Sequence, residues 1–118
     1  MEITIKRKKI NLKFGVRFLR ELDKIAGVEM QGQSLGFAIQ VALPKLENFD
    51  PVALSDVIYA ASYEESPRPS RVDVDDYLDG CDDLEKLFVE ARQEIEGANA
   101  IKFTAKKMQE ISAKNPQA

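Results

Sequence analysis

The change of sequence period that decides the fold lies in residues 10–25, which read INLKFGVRFLRELDKI. Up to Phe14 the apolar residues alternate with polar ones, which is the period of a half-buried strand. After Phe14 they recur every three or four residues, at Phe18, Leu22 and Ile25, which is the period of an amphipathic helix. The stretch therefore predicts a strand that leads directly into a helix.

The residues before this helix predict a hairpin. Isoleucines alternate with polar residues, so strands are expected over about residues 2–6 and 9–14. The turn would fall at Arg7-Lys8, where no Asn-Gly or Asp-Gly pair supplies positive φ, so the turn type stays open. Because an isolated hairpin is only marginally stable in water, this one must pack on helices.

Caps and breakers divide the next part of the chain into helices. Gly27 is expected to close the first helix in a left-handed conformation. Ser34 is expected to cap a second helix over residues 35–43, which Pro44 bends or ends. Asp50-Pro51 opens a third helix, as an N-cap followed by a proline in the first turn. Its predicted interior residues are Val52, Leu54, Val57, Ile58 and Ala61.

Similar signals predict the later helices. After the exposed loop at residues 66–69, Ser70-x-x-Asp73 resembles a capping box. Asp82 or Asp83 caps the following helix, which Gly97 ends, and a last amphipathic segment frays at Asn115-Pro116. Residues 97–103 follow no recognised pattern. The predicted fold class is α+β, mostly α-helical, with an N-terminal β-hairpin packed on about five helices. One domain over 1–112 and a frayed tail over 113–118 are expected.

The composition excludes several functional classes. The 118 residues include 17 basic and 20 acidic side chains, one cysteine and no histidine. Without histidine, Ser-His-Asp and Cys-His mechanisms and imidazole zinc sites are excluded, so no enzyme and no cofactor is predicted. A single cysteine makes no intramolecular disulfide, which favours a reducing cytoplasm. No apolar run approaches the ~20 residues that cross a bilayer, so no membrane partner is predicted.

Three local patterns imitate functional sites. Residues 32–36 match the G-x-S-x-G nucleophile elbow, but the serine has no histidine to take its proton, so a loop with a helix cap is favoured. A calcium loop starting at Asp79 would need an oxygen ligand where Cys81 stands and a glycine where Leu84 stands. The acidic neighbours of Cys81 also disfavour a reactive thiolate.

Charge is distributed unevenly along the chain. Residues 1–24 hold 8 basic and 3 acidic groups, residues 73–97 hold 2 and 10, and residues 98–118 hold 4 and 1. This asymmetry suggests that the basic N-terminal region of one copy docks on the acidic region of the next, which would build rings or helical arrays of a homo-oligomer. The predicted contacts are Lys6, Arg7, Lys8, Lys9, Asp75, Asp76, Asp79 and Asp83.

Four segments together resemble the tail assembly chaperone family of long-tailed phages and prophages of Gram-positive bacteria. The likeness runs from residue 1 to about residue 105. Its segments are Met1–Ile5, Leu12–Lys24, Leu54–Ala61, and Arg68–Ser70 followed by Asp75–Asp79. The chain departs from the family pattern at residues 6–9, where a compact glycine-containing turn is usual.

The resemblance implies a function in tail assembly. Such a protein coats the tape measure protein in the host cell cytoplasm, promotes polymerisation of the tail tube around it, and is absent from the finished virion. Family members are typically also made as a longer, frameshifted product that contacts the tail tube protein. Ala113-Lys114-Asn115 is compatible with this, because GCA AAA AAC encodes it and contains the slippery heptamer A AAA AAC.

The residues suggest how a tape measure protein would be held. A long amphipathic helix needs an apolar groove between helices of its partner. The candidate lining residues are Leu84, Leu87, Phe88, Ala91, Ile95, Ile101 and Met108. The alternative is that these apolar faces build the core of the domain itself. Two other classes remain open, a generic protein-interaction domain and a nucleic-acid-binding regulator. The acidic total and the lack of a basic, aromatic-bearing strand disfavour nucleic acid.

Overall fold

The computed structural model describes residues 1–26 and 37–114. Its elements in chain order are β1 (Glu2–Ile5), β2 (Lys8–Asn11), α1 (Val16–Ile25), α2 (Phe37–Glu47), α3 (Pro51–Ala61), α4 (Arg71–Asp79), α5 (Leu84–Gly97) and α6 (Asn99–Lys114). An antiparallel hairpin packs on a set of helices, which confirms the α+β, mostly helical class. Gly27, Ser34 and Asn115-Pro116 lie outside the described residues.

The hairpin turn differs by one residue from the predicted position. Ile5 pairs with Lys8, so the two turn residues are Lys6 and Arg7 rather than Arg7 and Lys8. Their φ angles are 51° and 65°. Positive φ at both central positions is the pattern of a type I′ turn, whose twist matches that of the flanking strands. The geometry that usually favours Asn-Gly is therefore adopted here by two basic residues.

The hairpin is anchored to the helices beyond β2. The Leu12 amide donates to the carbonyl of Met1 (2.7 Å), and the Lys13 amide donates to the carbonyl of Ala61 at the end of α3 (3.0 Å). Phe14 and Phe18 then meet edge to face, with ring centroids 5.1 Å apart. The change of period predicted between strand and helix is thus confirmed.

The helix containing Pro44 continues beyond it. Of the two alternatives, bending or ending, the end is excluded because α2 runs to Glu47. Leu46, which is only 1% exposed, holds the last turn in the core. At the other end of α2, the buried carboxylate of Asp23 accepts a hydrogen bond from the Ala38 amide (3.0 Å), which joins α1 to α2.

Helix α3 confirms its predicted cap and corrects one interior residue. The Asp50 carboxylate accepts from the amides of Val52 (3.0 Å) and Ala53 (3.4 Å). Leu54 and the other predicted interior residues are buried, but Val52 is 70% exposed, so its placement inside was wrong. At 100° per residue, Val52 lies about 160° from Leu54, on the opposite side of the helix.

The proline-rich loop at residues 66–69 is held against the domain by Arg68. The loop was predicted to be exposed, but Pro69 is buried and Arg68 is half-buried. The guanidinium of Arg68 donates to the Tyr59 carbonyl (2.7 Å) and the Ser62 hydroxyl (3.3 Å), and it lies 4.0 Å from the Tyr59 ring centroid. It also pairs with Glu21 on α1 at 3.3 Å. One side chain therefore joins the loop to α1 and α3.

The predicted capping signals of α4 and α5 are confirmed. Ser70 and Asp73 form a capping box at α4, with each side chain accepting from the backbone amide of the other residue. Asp83, rather than Asp82, caps α5 by accepting from the Lys86 amide (3.1 Å). At residues 97–103 the extended backbone of Ala98 (φ −68°, ψ 136°) separates α5 from α6.

Candidate functional site

The apolar face of α5 packs inside the domain. Leu87, Phe88, Ala91 and Ile95 are buried, and Leu84 is half-buried. The Phe88 ring also meets Phe49 edge to face, with centroids 5.4 Å apart. These side chains therefore build the core, as in the second of the two alternatives for this face. Their contact with a partner stays a prediction.

Helix α6 has a buried beginning and an exposed remainder. Ile101, in its first turn, is half-buried against the core. Phe103 and Ile111 are 61% and 58% exposed. The helix packs mainly against α5. Met108 lies on α6, but its side chain is outside the described part of the structure. Exposed apolar side chains on a helix with few tertiary contacts favour a binding role over a core role.

The basic hairpin cluster, Lys6 to Lys9, is partly paired within the same chain. The Lys6 ammonium lies 2.6 Å from the Asp73 carboxylate. The hydrogen bond between them raises the pKa of Lys6 and holds the pKa of Asp73 below its ordinary value. Lys8 donates to the Pro67 carbonyl at 3.2 Å. Arg7 and Lys9 are exposed, and neither makes an ion pair with the rest of the described chain.

The predicted acidic contacts have different environments. Asp75 accepts a hydrogen bond from Ser55 on α3, and Asp83 is occupied as the cap of α5. Asp76 and Asp79 lie exposed on α4. The structure therefore places the hairpin cluster beside the start of α4 in one molecule. Their contact between copies stays a prediction.

A cleft between α3 and α4 is the feature that sequence patterns did not reveal. It has a volume of ≈ 370 Å³. Its apolar lining includes Val52 and Leu78, and its carboxylates are Asp56, Asp75 and Asp79. The sequence held one sign of the cleft, because the spacing of Val52 places it outside the buried stripe of α3. No sequence pattern indicated that α3 and α4 would lie side by side and form the two walls of the cleft.

Burial raises the pKa of two ionisable groups, one in this cleft and one elsewhere, on α4. Burial raises the pKa of the Asp56 carboxyl, although the Arg71 guanidinium that pairs with it acts in the opposite direction. Burial also raises the pKa of the Tyr77 hydroxyl on α4. Of the two, only Asp56 lines the cleft, and desolvation is the largest cause of both shifts.

A second cavity, of ≈ 540 Å³, lies between the hairpin and α5. Leu12 and Phe14 supply apolar lining, and Glu2, Glu90 and Glu94 supply carboxylates. Two of those three carboxylates form ion pairs, Glu90 with the Lys86 ammonium (3.8 Å) and Glu94 with the N-terminal ammonium of Met1 (4.0 Å). These two ion pairs partly neutralise the negative charge of the cavity lining.

The patterns that imitate functional sites have separate outcomes. Residues 32–36 lie outside the described part of the chain. Over residues 1–26 and 37–114, no group of three or more acidic or cysteine side chains is arranged to hold a metal ion. Cys81 is a half-buried free thiol. Within the same ranges, no helix is both long enough and apolar enough to span a bilayer.

Comparison with known proteins identifies a related family. A family model described as phage tail assembly chaperone protein, TAC, matches residues 2–110 of the chain. The match spans the hairpin and α1 to α5, and it reaches into α6. No curated protein and no solved structure matches the chain.

Proposed function

The chain belongs to the phage tail assembly chaperone family, and we propose that it binds and shields the tape measure protein while the tail tube polymerises around it. The observation that carries this proposal is the family match over residues 2–110. The family assigns a chaperone role and contacts with phage tail proteins, which points away from catalysis. In this proposal the chain works as a homo-oligomer in the host cell cytoplasm and is absent from the finished virion.

The exposed part of α6 is the best-supported client surface. Ile101 and Ile111 belong to one apolar stripe, which begins against the core and continues into solvent. An amphipathic client helix would cover such a stripe with its own apolar face. We place the client here rather than on Leu87, Phe88 and their neighbours on α5, because those side chains are already covered by the domain.

Co-expression tests the proposal directly. The client to co-express is the tape measure protein of the same phage, which we expect to find as a very long, coiled-coil-rich reading frame immediately downstream of this gene. We expect that protein to be soluble and to co-purify with the unmodified chain, but to be insoluble alone. Ile111→Glu should reduce the recovered complex at least tenfold, because the lost burial of one aliphatic side chain is alone worth about 1.5–3 kcal/mol and the carboxylate adds a desolvation cost.

A matched variant separates binding from folding. Gln109→Glu adds the same charge to an exposed position two residues away on α6, and it should leave recovery unchanged. Circular dichroism should show the same helix content for both variants. A client that stays insoluble beside the unmodified chain, or equal recovery with both variants, would contradict the proposal.

The longer product forms the second part of the proposal. Ala113 and Lys114 end α6, so a minus-one shift at Ala113-Lys114-Asn115 would attach its extension to the end of this helix. The extension is proposed to recruit tail tube protein. Mass spectrometry should detect the longer product, and replacing GCA AAA with the synonymous GCG AAG should abolish it. A longer product that persists after this replacement would exclude slippage at this site.

A further inference from the structure

Helix α6 differs in charge from the rest of the chain. Residues 99–114 contain four lysines and one glutamate, whereas the whole chain has a net charge of −3. The same helix holds the exposed end of the apolar stripe, where Ile111 is 58% exposed. The client surface of the proposed function is therefore a basic element within an acidic protein.

Lysines border the apolar stripe of α6 on both sides. At 100° per residue, the stripe runs from Ile111, about 80° to one side of Ile101, to Ala105, about 40° to the other side. Lys107 lies about 40° beyond Ile111. Lys102 lies about 60° beyond Ala105. Each edge of the stripe therefore carries an ammonium group.

Most of this positive charge is available to a partner. Lys102, Lys106 and Lys107 are exposed. Lys102 and Lys106 make no ion pair with the described residues. Lys107 pairs with Glu110 at 3.1 Å. Because an ammonium group has three N–H donors, Lys107 can hold Glu110 and still donate to a second carboxylate.

A helix that packs along this stripe places its own edge residues beside the lysines. When two amphipathic helices pair, the charges at the edges of the apolar seam meet across the interface and select the partner. Carboxylates at both edges of the partner would be attracted by Lys102 and Lys107, and lysines there would be repelled. The stripe supplies affinity for any amphipathic helix, and its two edges supply the discrimination.

Two other anionic partners fit this surface less well than an acidic helix. A nucleic acid would satisfy the lysines, but phosphate contacts leave the Ile111 side chain uncovered. An anionic membrane could accept lysines and apolar side chains together. The stripe begins at Ile101, however, which is half-buried against the core, so the first turn of α6 is not free to enter a lipid surface.

We propose that α6 selects its client by charge, so that the segment of the tape measure protein held there is an amphipathic helix with Asp or Glu at both edges of its apolar stripe. This selection rests on the proposed function, because it names the chemistry of the client at that same surface. One acidic edge lies against Lys102 and the other against Lys107. A helix with the same apolar residues but basic edges is rejected.

Fluorescence anisotropy with the full chain and two labelled synthetic peptides tests the selection. Both peptides are about 25 residues long, enough to form a helix in water, and carry the same leucine stripe. One has glutamate at both edges of the stripe, and the other has lysine. At an ionic strength of about 0.1 M the glutamate-edged peptide should bind at least tenfold more tightly. At about 0.5 M the difference should shrink, because salt screens the charges.

Charge reversal on α6 then identifies the contact. Lys102→Glu with Lys107→Glu should reverse the preference, and the fold should be kept because both positions are exposed. Arg7→Glu with Lys9→Glu is the matched control, since it changes net charge by the same amount at two exposed positions of the hairpin cluster. The control should keep the preference of the unmodified chain. Ile111→Ser should weaken both peptides alike, because it shortens the stripe and leaves its edges intact.

Several results would overturn the charge selection. These are equal affinity for the two peptides, binding of neither, and a preference that survives in the α6 variant. Tighter binding of duplex DNA or anionic lipid vesicles than of the glutamate-edged peptide, if lost in the α6 variant, would assign the lysines to that occupant and equally overturn it.

Co-expression separates this outcome from failure of the proposed function. A chain that solubilises the tape measure protein but shows no peptide preference would refute the charge selection alone. A chain that prefers the glutamate-edged peptide but does not solubilise the tape measure protein would refute that protein as the client. In that case the preference of α6 for acidic helices would stand.

Discussion

Replacing Arg68 with alanine is expected to destabilise the domain by about 2–3 kcal/mol, far more than a typical surface substitution. The side chain is 27% exposed. Its guanidinium donates to the Tyr59 carbonyl at 2.7 Å and to the Ser62 hydroxyl at 3.3 Å, and it stacks over the Tyr59 ring at 4.0 Å. Alanine removes all of these contacts and leaves the Tyr59 carbonyl without this donor.

The magnitude follows from two contributions. A hydrogen bond from a charged donor contributes roughly 1.5–3 kcal/mol, and the short contact with the Tyr59 carbonyl belongs to this class. The contact with the aromatic ring contributes about 0.5–1 kcal/mol. The ion pair with Glu21 adds little, because Glu21 keeps Lys24 at 3.4 Å after the substitution. Partial exposure of Arg68 lowers the sum toward about 2–3 kcal/mol.

Urea denaturation monitored by circular dichroism measures the effect. Arg17→Ala is the matched control, because Arg17 also lies over a tyrosine ring, that of Tyr63 at 4.7 Å, but is exposed. The control should lose less than about 0.5 kcal/mol. Arg68→Lys should fall between the two, because an ammonium lacks the planar fork. Equal losses for Arg68→Ala and Arg17→Ala would refute the view that Arg68 anchors the proline-rich loop.

Three further predictions concern the core, a cap and acid stability. Ile58→Ala should lower the free energy of unfolding by about 2–5 kcal/mol, because Ile58 is fully buried on α3. Val52→Ala, on the exposed side of the same helix, should cost less than about 0.5 kcal/mol. Equal losses for the two variants in urea denaturation would contradict this placement. Asp50→Ala should cost about 0.5–2 kcal/mol through the lost cap, with Asp50→Asn as the variant that keeps it. The hydrogen bond from Lys6 lowers the pKa of Asp73 in the folded state below its ordinary value of 3.8. The ionised Asp73 carboxylate therefore stabilises the fold at pH values above 3.8, and this stabilisation is lost as the pH falls through the lower folded-state pKa. Lys6→Ala should reduce this acid-dependent loss in a pH series of thermal melts, and an unchanged series would exclude the pair as its source.

Local signals predicted the elements well because they act over about one helical turn. The capping box of Ser70 and Asp73 and the Asp50-Pro51 start involve residues three or fewer positions apart, and both are present as expected. Pro44 was expected to bend or end α2, but the helix continues to Glu47. The burial of Leu46 in the core outweighs the loss of the backbone hydrogen bond that proline cannot donate. The exposed side of Val52 was readable from its angle to Leu54, but its apolar character suggested burial.

The candidate site was less predictable, because it depends on which surfaces remain after the helices pack. The stripe of α5 that includes Leu87 and Phe88 has the same spacing as a client-binding face, and only its burial distinguishes the two roles. The hairpin cluster reads as one basic patch in the sequence. In the structure Lys6 is paired with Asp73, so the patch is weaker than its composition implies.

The sequence by itself determined the class of fold, the order of its elements, most helix caps and the family to which the chain belongs. These features follow from periodicity, short-range hydrogen bonds and the order of packing segments along the chain. Only the tertiary structure decided the position of the hairpin turn, the role of Arg68 and the choice between α5 and α6 as the exposed helix. These depend on residues that are distant in the chain, and packing in three dimensions brings them together or leaves them in solvent.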